Sequence, residues 1–172
     1  MDINQLLTKY AAGERNFNGA DLRGVNLAGA DLSRVNLSGA NLSECDLSRA
    51  NLSNADLSEA NLKQANLSEI NLVGADLMGG NLETTNLSRA DLRNANLAMA
   101  NLSDANLSQA ELSSADLSRA NLCKANLIGC NLNETELSGA DLTGTICTPQ
   151  DMVGAIRNTP LSQQWVTWAG GC

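Results

Sequence analysis

The chain of 172 residues has no histidine, two prolines and only four aromatic side chains. Without histidine, neither a Ser-His-Asp triad nor a histidine-bearing zinc site is available. Four aromatics are too few for a core that draws its buried area from Phe, Tyr and Trp. Bases are scarce too: 11 Lys and Arg face 19 Asp and Glu, a net charge of −8, which excludes a basic groove for nucleic-acid phosphates. No stretch approaches the roughly 20 apolar residues that span a bilayer. Met1-Asp2-Ile3-Asn4-Gln5 lacks the basic-then-apolar pattern of a secretory signal. The expected setting is the cytoplasm, without membrane or direct nucleic-acid contact. Five cysteines (Cys45, Cys123, Cys130, Cys147, Cys172), odd in number and irregular in spacing, supply neither a disulfide framework nor a zinc site. No glycine-rich phosphate loop joins a strand to a helix, so no cofactor is expected. Yet 43% of the residues are apolar, too many for a disordered acidic chain.

Those aliphatic residues are ordered. From Leu22 to Leu142 every fifth residue is Leu, 25 in succession, and Phe17 stands one step earlier in the same register. Two residues before each Leu stands Ala in 17 of the 25 units, otherwise Val25, Val35, Cys45, Ile70, Gly80, Thr85, Cys130 or Thr135. Immediately before it come 15 Asn, eight Asp and two Glu, and just after it Ser in 13 units. On an α-helix a period of five advances about 140° per repeat, so the leucines would spiral over every side and form no stripe. On a strand the Ala and Leu two apart share a face, but the next Ala lies an odd step away and points outward. It returns inward only if the chain turns a corner in each repeat, at the Ser-X pair with its frequent glycine. The result is a β-solenoid lined by Leu and Ala.

The run ADLRGVNLAGADLSRVNLSGANLSECDLSRANL, Ala20 to Leu52, resembles the pentapeptide-repeat family and its consensus A(D/N)LXX, in particular non-enzymatic bacterial members. The resemblance implies a right-handed, four-sided β-helix with one pentapeptide per side and 20 residues per coil. Residues 15–144 then form about 6.5 coils, a rod of roughly 31 Å at about 4.8 Å per coil. Residues 1–14 and 145–172 are expected to be helical caps for its two ends. At the first end, Ile3, Leu6, Leu7 and Tyr10 mark one helical face, with Asp2 and Gln5 as a capping pair and Gly13 as the stop. Leu6 to Phe17 (LLTKYAAGERNF) is similar to a lead-in helix of members from photosynthetic bacteria. At the other end, Thr148-Pro149 opens a helix with Met152, Val153 and Ile156 on one face, and Thr159-Pro160 a second with Leu161, Trp165 and Trp168. Trp165 and Trp168 either cover the last coil or form a homodimer contact.

Stacking residues 20 apart gives one outward column of Asn16, Asn36, Asp56, Asp76, Asn96, Asp116 and Glu136, with Asp56 and Asp76, and Asp116 and Glu136, about 5 Å apart. On a flat, exposed ladder these carboxylates read as an acidic interaction face rather than a catalytic or metal site. The next column, Asn41, Asn61, Asn81, Asn101 and Asn121, reads as an amide ladder. Cys45 and Cys130 point inward, too far apart along the rod for a disulfide, while Cys123 points outward beside Lys124. The resemblance implies a non-enzymatic role, either a scaffold or interaction module for another protein or, as in acidic quinolone-resistance and gyrase-inhibitor members, a DNA mimic bound to DNA gyrase. Over about 31 Å, duplex DNA carries about 18 charges. Residues 15–144 carry 16 acids and nine bases, a net of −7. The scaffold reading therefore stands first.

Overall fold

The computed structural model describes residues 1–156 and the backbone of Val166–Trp168. Its body is a square coil. From Asn16 to Asn126, every Asn, Asp or Glu that precedes Phe17 or a central Leu bridges in parallel to the residue 20 positions on, for example Asn81 to Asn101. Three backbone hydrogen bonds tie each pentapeptide to its neighbouring coils. Leu82 N–H donates to the Asn101 carbonyl (2.7 Å), Thr84 N–H to that of Ser103 (2.9 Å), and Asn101 N–H to that of Gly80 (2.9 Å). The four sides are named below by their first inward residue: the Phe17, Leu22, Leu27 and Leu32 faces.

Leucines and alanines fill the interior. The central leucines are between 0 and 6% exposed along the whole rod, so each stabilises by about 1.5–3 kcal/mol before chain entropy is subtracted. Where the small inward position is polar, its hydrogen reaches back to the Leu carbonyl of the preceding coil. Thr85 and Thr135 donate to Leu62 and Leu112 (3.0 and 2.7 Å), and the thiols of Cys45 and Cys130 to Leu22 and Leu107 (2.8 and 2.9 Å). No buried side-chain polar atom among the described residues lacks a partner.

Each corner closes with a bond from the residue after X to the Leu carbonyl, as from Thr85 N–H to Leu82 (3.2 Å). The X residue holds a positive φ at all 26 corners, and 17 of these residues are not glycine. The sequence marks the corners by their glycines; the coil imposes the left-handed conformation on Arg, Glu, Gln, Lys and Thr as well.

Helix α1, Ile3–Ala11, closes the N-terminal end. Asp2 caps it, accepting from Gln5 N–H (2.9 Å) while the Gln5 side chain accepts from Asp2 N–H. Leu6 is buried and Ile3 and Tyr10 pack on the core, but Leu7, read from its spacing as part of that face, is exposed. Carbonyls on the open edge that a preceding coil would have bonded are taken by the Met1 ammonium, at Asp21 (3.0 Å), and by the Tyr10 hydroxyl, at Ser33 (2.9 Å).

The C-terminal end departs from expectation. No helix starts at Thr148-Pro149; residues 149–154 form turns, and the coil continues through them. Thr148 and Asp151 do bond reciprocally, as in a cap. However, Asp151 Oδ1 also accepts from Gly129 N–H (3.0 Å), an edge donor of the coil beneath. Beyond Gly154, at φ +84°, Glu134 donates to Gly154 and Leu137 to Ile156, and Ile156 donates to Thr135. Met152 is buried, while Val153 and Ile156, expected on the same helical face, are exposed. Pairing to the open coil edge satisfies more backbone groups than an isolated helical turn would. Thr159, Pro160 and Leu161 of the second expected helix lie outside the described residues, and only its end at Val166–Trp168 is described. Strand β1, Thr145–Cys147, pairs in parallel with β2, Val166–Trp168, so the backbone there is extended. Trp165 and the Trp168 side chain lie outside the described residues, and with them the expected cap or dimer contact.

Candidate interaction surface

The Phe17 face brings Asp56, Asp76, Asp116 and Glu136 into one half-buried outward column, with Asp56 paired to Asp76 and Asp116 to Glu136 on successive coils. Each carboxylate accepts from the backbone N–H two residues on: Asp56 from Ser58 (3.0 Å), Asp76 from Met78 (3.0 Å), Asp116 from Ser118 (2.8 Å) and Glu136 from Ser138 (2.8 Å). These turn bonds fix the direction of every side chain in the column. One link joins coils here, Asn96 Nδ2 to Asp76 Oδ1 (3.0 Å).

The Leu22 face bears the amide ladder read from the sequence. Asn61 donates to Asn41, Asn81 to Asn61, Asn101 to Asn81 and Asn121 to Asn101, at 3.1–3.4 Å. A second ladder, which the same 20-residue spacing would have revealed, runs along the Leu27 face through Asp46, Asn66, Asn86, Asn106 and Asn126. In both, the amide donates toward the N-terminal coil. A carboxylate has no hydrogen to give, so it can start such a chain but not extend one. Asp46, Asp31 and Glu111 all stand at such starts.

Acids elsewhere are held low by neighbours. Hydrogen bonds from Arg23, Arg49 and Arg93 lower the pKa values of Asp21, Glu69 and Asp91, and those from Ser48 and Thr143 lower Asp46 and Asp141. Among the cysteines, burial pushes the Cys45 thiol up and the Cys130 thiol up to about 12. Cys123 is raised as well, by burial and then by its bond to the Asp141 carboxylate one coil away. Both effects disfavour the thiolate and make Cys123 a poor nucleophile in spite of the adjacent Lys124. No group of three or more His, Cys, Asp or Glu among the described residues is placed to hold a metal ion. Open hollows of about 430 and 600 Å³ lie at the N-terminal end around Met1, one reaching Asp21 to Val25, the other Asn4 to Lys9. Neither meets the acidic column.

Residues 16–54 and 110–148 match the model for pentapeptide repeats, and residues 45–121 match that of a pentapeptide repeat region. The chain belongs to the pentapeptide-repeat family. HetL, a pentapeptide-repeat protein involved in heterocyst differentiation regulation in the cyanobacterium Nostoc sp. strain PCC 7120, is 30% identical over 91% of this chain and 92% of its own, with a TM-score of 0.32. Rfr23 from the cyanobacterium Cyanothece 51142 is 32% identical over 81% and 94%, with a TM-score of 0.28. Trypsin-treated QnrB1, a plasmid-mediated fluoroquinolone resistance protein, is 22% identical over 91% and 88%, with a TM-score of 0.73. The pentapeptide-repeat rod of this chain is accordingly a right-handed β-helix. Comparison with curated proteins finds no match.

Proposed function

We propose that this pentapeptide-repeat protein is a rigid scaffold that binds another protein along one flat side of its rod. One observation carries the reading: inward side chains make the core, and the outward carboxylates and amides are fixed by turn bonds and ladders, which leaves long pre-ordered faces. A surface that is already rigid loses little entropy on binding. The test is capture from a cell lysate with the full chain as bait, after mild cross-linking and with a scrambled-surface rod as control. Repeated failure to retain any protein above the control removes the reading.

A gyrase-binding DNA mimic is the competing proposal, and the charge map weakens it. Arg23–Asp21, Arg49–Glu69, Lys63–Glu83 and Arg93–Asp91 ion pairs interrupt the acidic columns on three of the four faces. Inhibition or protection of gyrase in a supercoiling assay with excess protein would reverse this ranking. Self-association through the C-terminal end is favoured by the exposure of Ile146, Val153 and Ile156, and light scattering after size exclusion tests it. A cytoplasmic site is supported by the free thiols of Cys45 and Cys130; fractionation with a periplasmic marker checks it.

A further inference from the structure

Charge is shared unequally among the four sides. Between residues 15 and 144, the Phe17 face and its corner carry five acids, Asp56, Glu59, Asp76, Asp116 and Glu136, against two bases, Arg15 on the first coil and Arg119, a net of −3. The Leu27 face carries two acids and two bases, Asp46 and Glu69 with Arg49 and Arg89. None of the five ion pairs among the described residues includes an acid of the Phe17 face.

That same face has an apolar island at its middle. Met78 stands where the repeat favours Ser and is 43% exposed; Met99 stands at a corner and is 61% exposed. Met78 and Ala98 occupy one outward column on successive coils, and Met99 follows Ala98. Met99 holds φ +61°, a conformation that Gly adopts more readily. Neither methionine is buried in the core, so neither is there for packing. Exposed methionines rimmed by charge suit an apolar partner, because the flexible thioether adapts to the shape it meets.

We propose that the Phe17 face docks an amphipathic helix of another protein, laid along the rod. Two large apolar side chains cover Met78, Ala98 and Met99, and lysines or arginines at either end meet Asp56 with Asp76 and Asp116 with Glu136. This rests on the scaffold reading above and names its surface and partner chemistry. The dimensions agree. Asp56 to Glu136 spans four coil steps, about 19 Å at about 4.8 Å each. A helix covers that length in about 13 residues, and its rise of 5.4 Å per turn keeps successive turns near successive coils. An anionic lipid surface or a nucleic acid is repelled by the sign of the face.

The probe is a fluorescein-labelled helical peptide of about 16 residues, two leucines four positions apart between blocks of Lys and Arg, read by anisotropy. A second probe replaces both leucines with Ser. The structure requires the leucine probe to bind the unaltered protein, with gain of helicity, and the serine probe to bind at least about tenfold more weakly. The double variant Met78→Ser with Met99→Gly puts the repeat's own residues at both positions. It is expected to keep its circular dichroism and a melting temperature no lower than that of the unaltered protein, while losing about tenfold in affinity for the leucine probe. Asp76→Asn with Asp116→Asn should weaken binding and flatten its salt dependence. Equal affinity for the two probes, unchanged binding by the methionine double variant, or no binding by the unaltered protein overturns the proposal. A lysate partner that the methionine variant still retains also overturns it, yet leaves the scaffold reading standing. Only the absence of any captured partner removes both.

Discussion

The corners make a counterintuitive prediction: replacing exposed residues by glycine should stabilise this β-protein. Thr84 holds φ +56° and its N–H donates to the Ser103 carbonyl at 2.9 Å. The left-handed conformation costs an L-residue about 1–2 kcal/mol, and a β-branched side chain lies at the upper end. Glycine removes that strain and keeps the N–H, but loses about 0.5–1 kcal/mol more chain entropy on folding. The Thr84 hydroxyl bonds only the carbonyl of Glu83, at an exposed site where water can replace it. Thr84→Gly should therefore stabilise by about 1 kcal/mol net. Asn54→Gly, at the same φ, should gain only a few tenths, because Asn tolerates this region. In reverse, Gly79→Ala should destabilise by about 1 kcal/mol. A Cβ there meets nothing nearer than Glu59 Cγ at 3.8 Å, so the loss is one of backbone conformation. Gly74→Ala should cost about the same, since its Cβ would fall 2.9 Å from Asn54 Oδ1, the end of an exposed side chain that can turn away. Guanidinium unfolding followed by circular dichroism reads these shifts as midpoints at constant slope. Solenoids can unfold in segments, so a second probe must give a coincident transition. A lower midpoint for Thr84→Gly would refute the reasoning.

Three further outcomes are expected. Leu82→Lys should cost more than about 4 kcal/mol by burying an unpaired charge, whereas Ser58→Lys should stay within about 0.5 kcal/mol. Lys63 already occupies the equivalent outward position, so equal melting temperatures would contradict the inward and outward assignment. Burial holds the Cys130 thiol at about 12 against an ordinary value of 9, so its contribution is complete below pH 9 and is lost as pH rises from 9 toward 12. The melting temperature of Cys130→Ala should fall less between pH 8 and pH 10 than that of the unaltered protein; identical falls would speak against this. Asp76→Asn with Glu136→Asn gives each residue a hydrogen to donate to Asp56 and Asp116, adding about 0.5–1 kcal/mol per rung while weakening the cationic probe. A lower melting temperature would show that the ladder polarity does not extend to this face.

The body of the fold is legible because a period of five is incompatible with either simple element, which leaves the corner as the only way to bring both Ala and Leu inside. The capping pair of Asp2 and Gln5 is equally local, and the chain obeys it. What sequence signals missed depends on neighbours 18 to 22 residues away. Thr148-Pro149 carries helix-start residues, but the coil beneath offers Gly129 N–H to Asp151 and holds the chain in turns. Cys123 stands beside Lys124 in the sequence and beside Asp141 in space. The strain at the corners is invisible because the X position accepts almost any residue; only the coil fixes its φ. The acidic column was legible at a spacing of 20, but its uncompensated charge and its overlap with Met78 and Met99 emerge only when all four faces are compared.

That comparison also explains why the acids sit where they do. An amide ladder needs a donor on every coil after the first, so two consecutive carboxylates break it. The Leu22 and Leu27 faces each keep four amide rungs, whereas the Phe17 face keeps one, from Asn96 to Asp76. Asp56, Asp76, Asp116 and Glu136 each lack the hydrogen for a rung to the coil before, and Met78 and Met99 lie between the two pairs. A face shaped by stability alone would extend its Asn column and place at 78 and 99 the Ser and Gly that are the commonest residues at those positions of the repeat. Departures from a local rule that bring no gain in packing are expected where a surface serves something outside the fold. The Leu32 face, where Asp91 precedes Glu111, keeps only two rungs, but lost rungs, acids in no ion pair and exposed methionines come together on the Phe17 face. Stability cannot account for their coincidence, because each lowers it independently; a shared partner can.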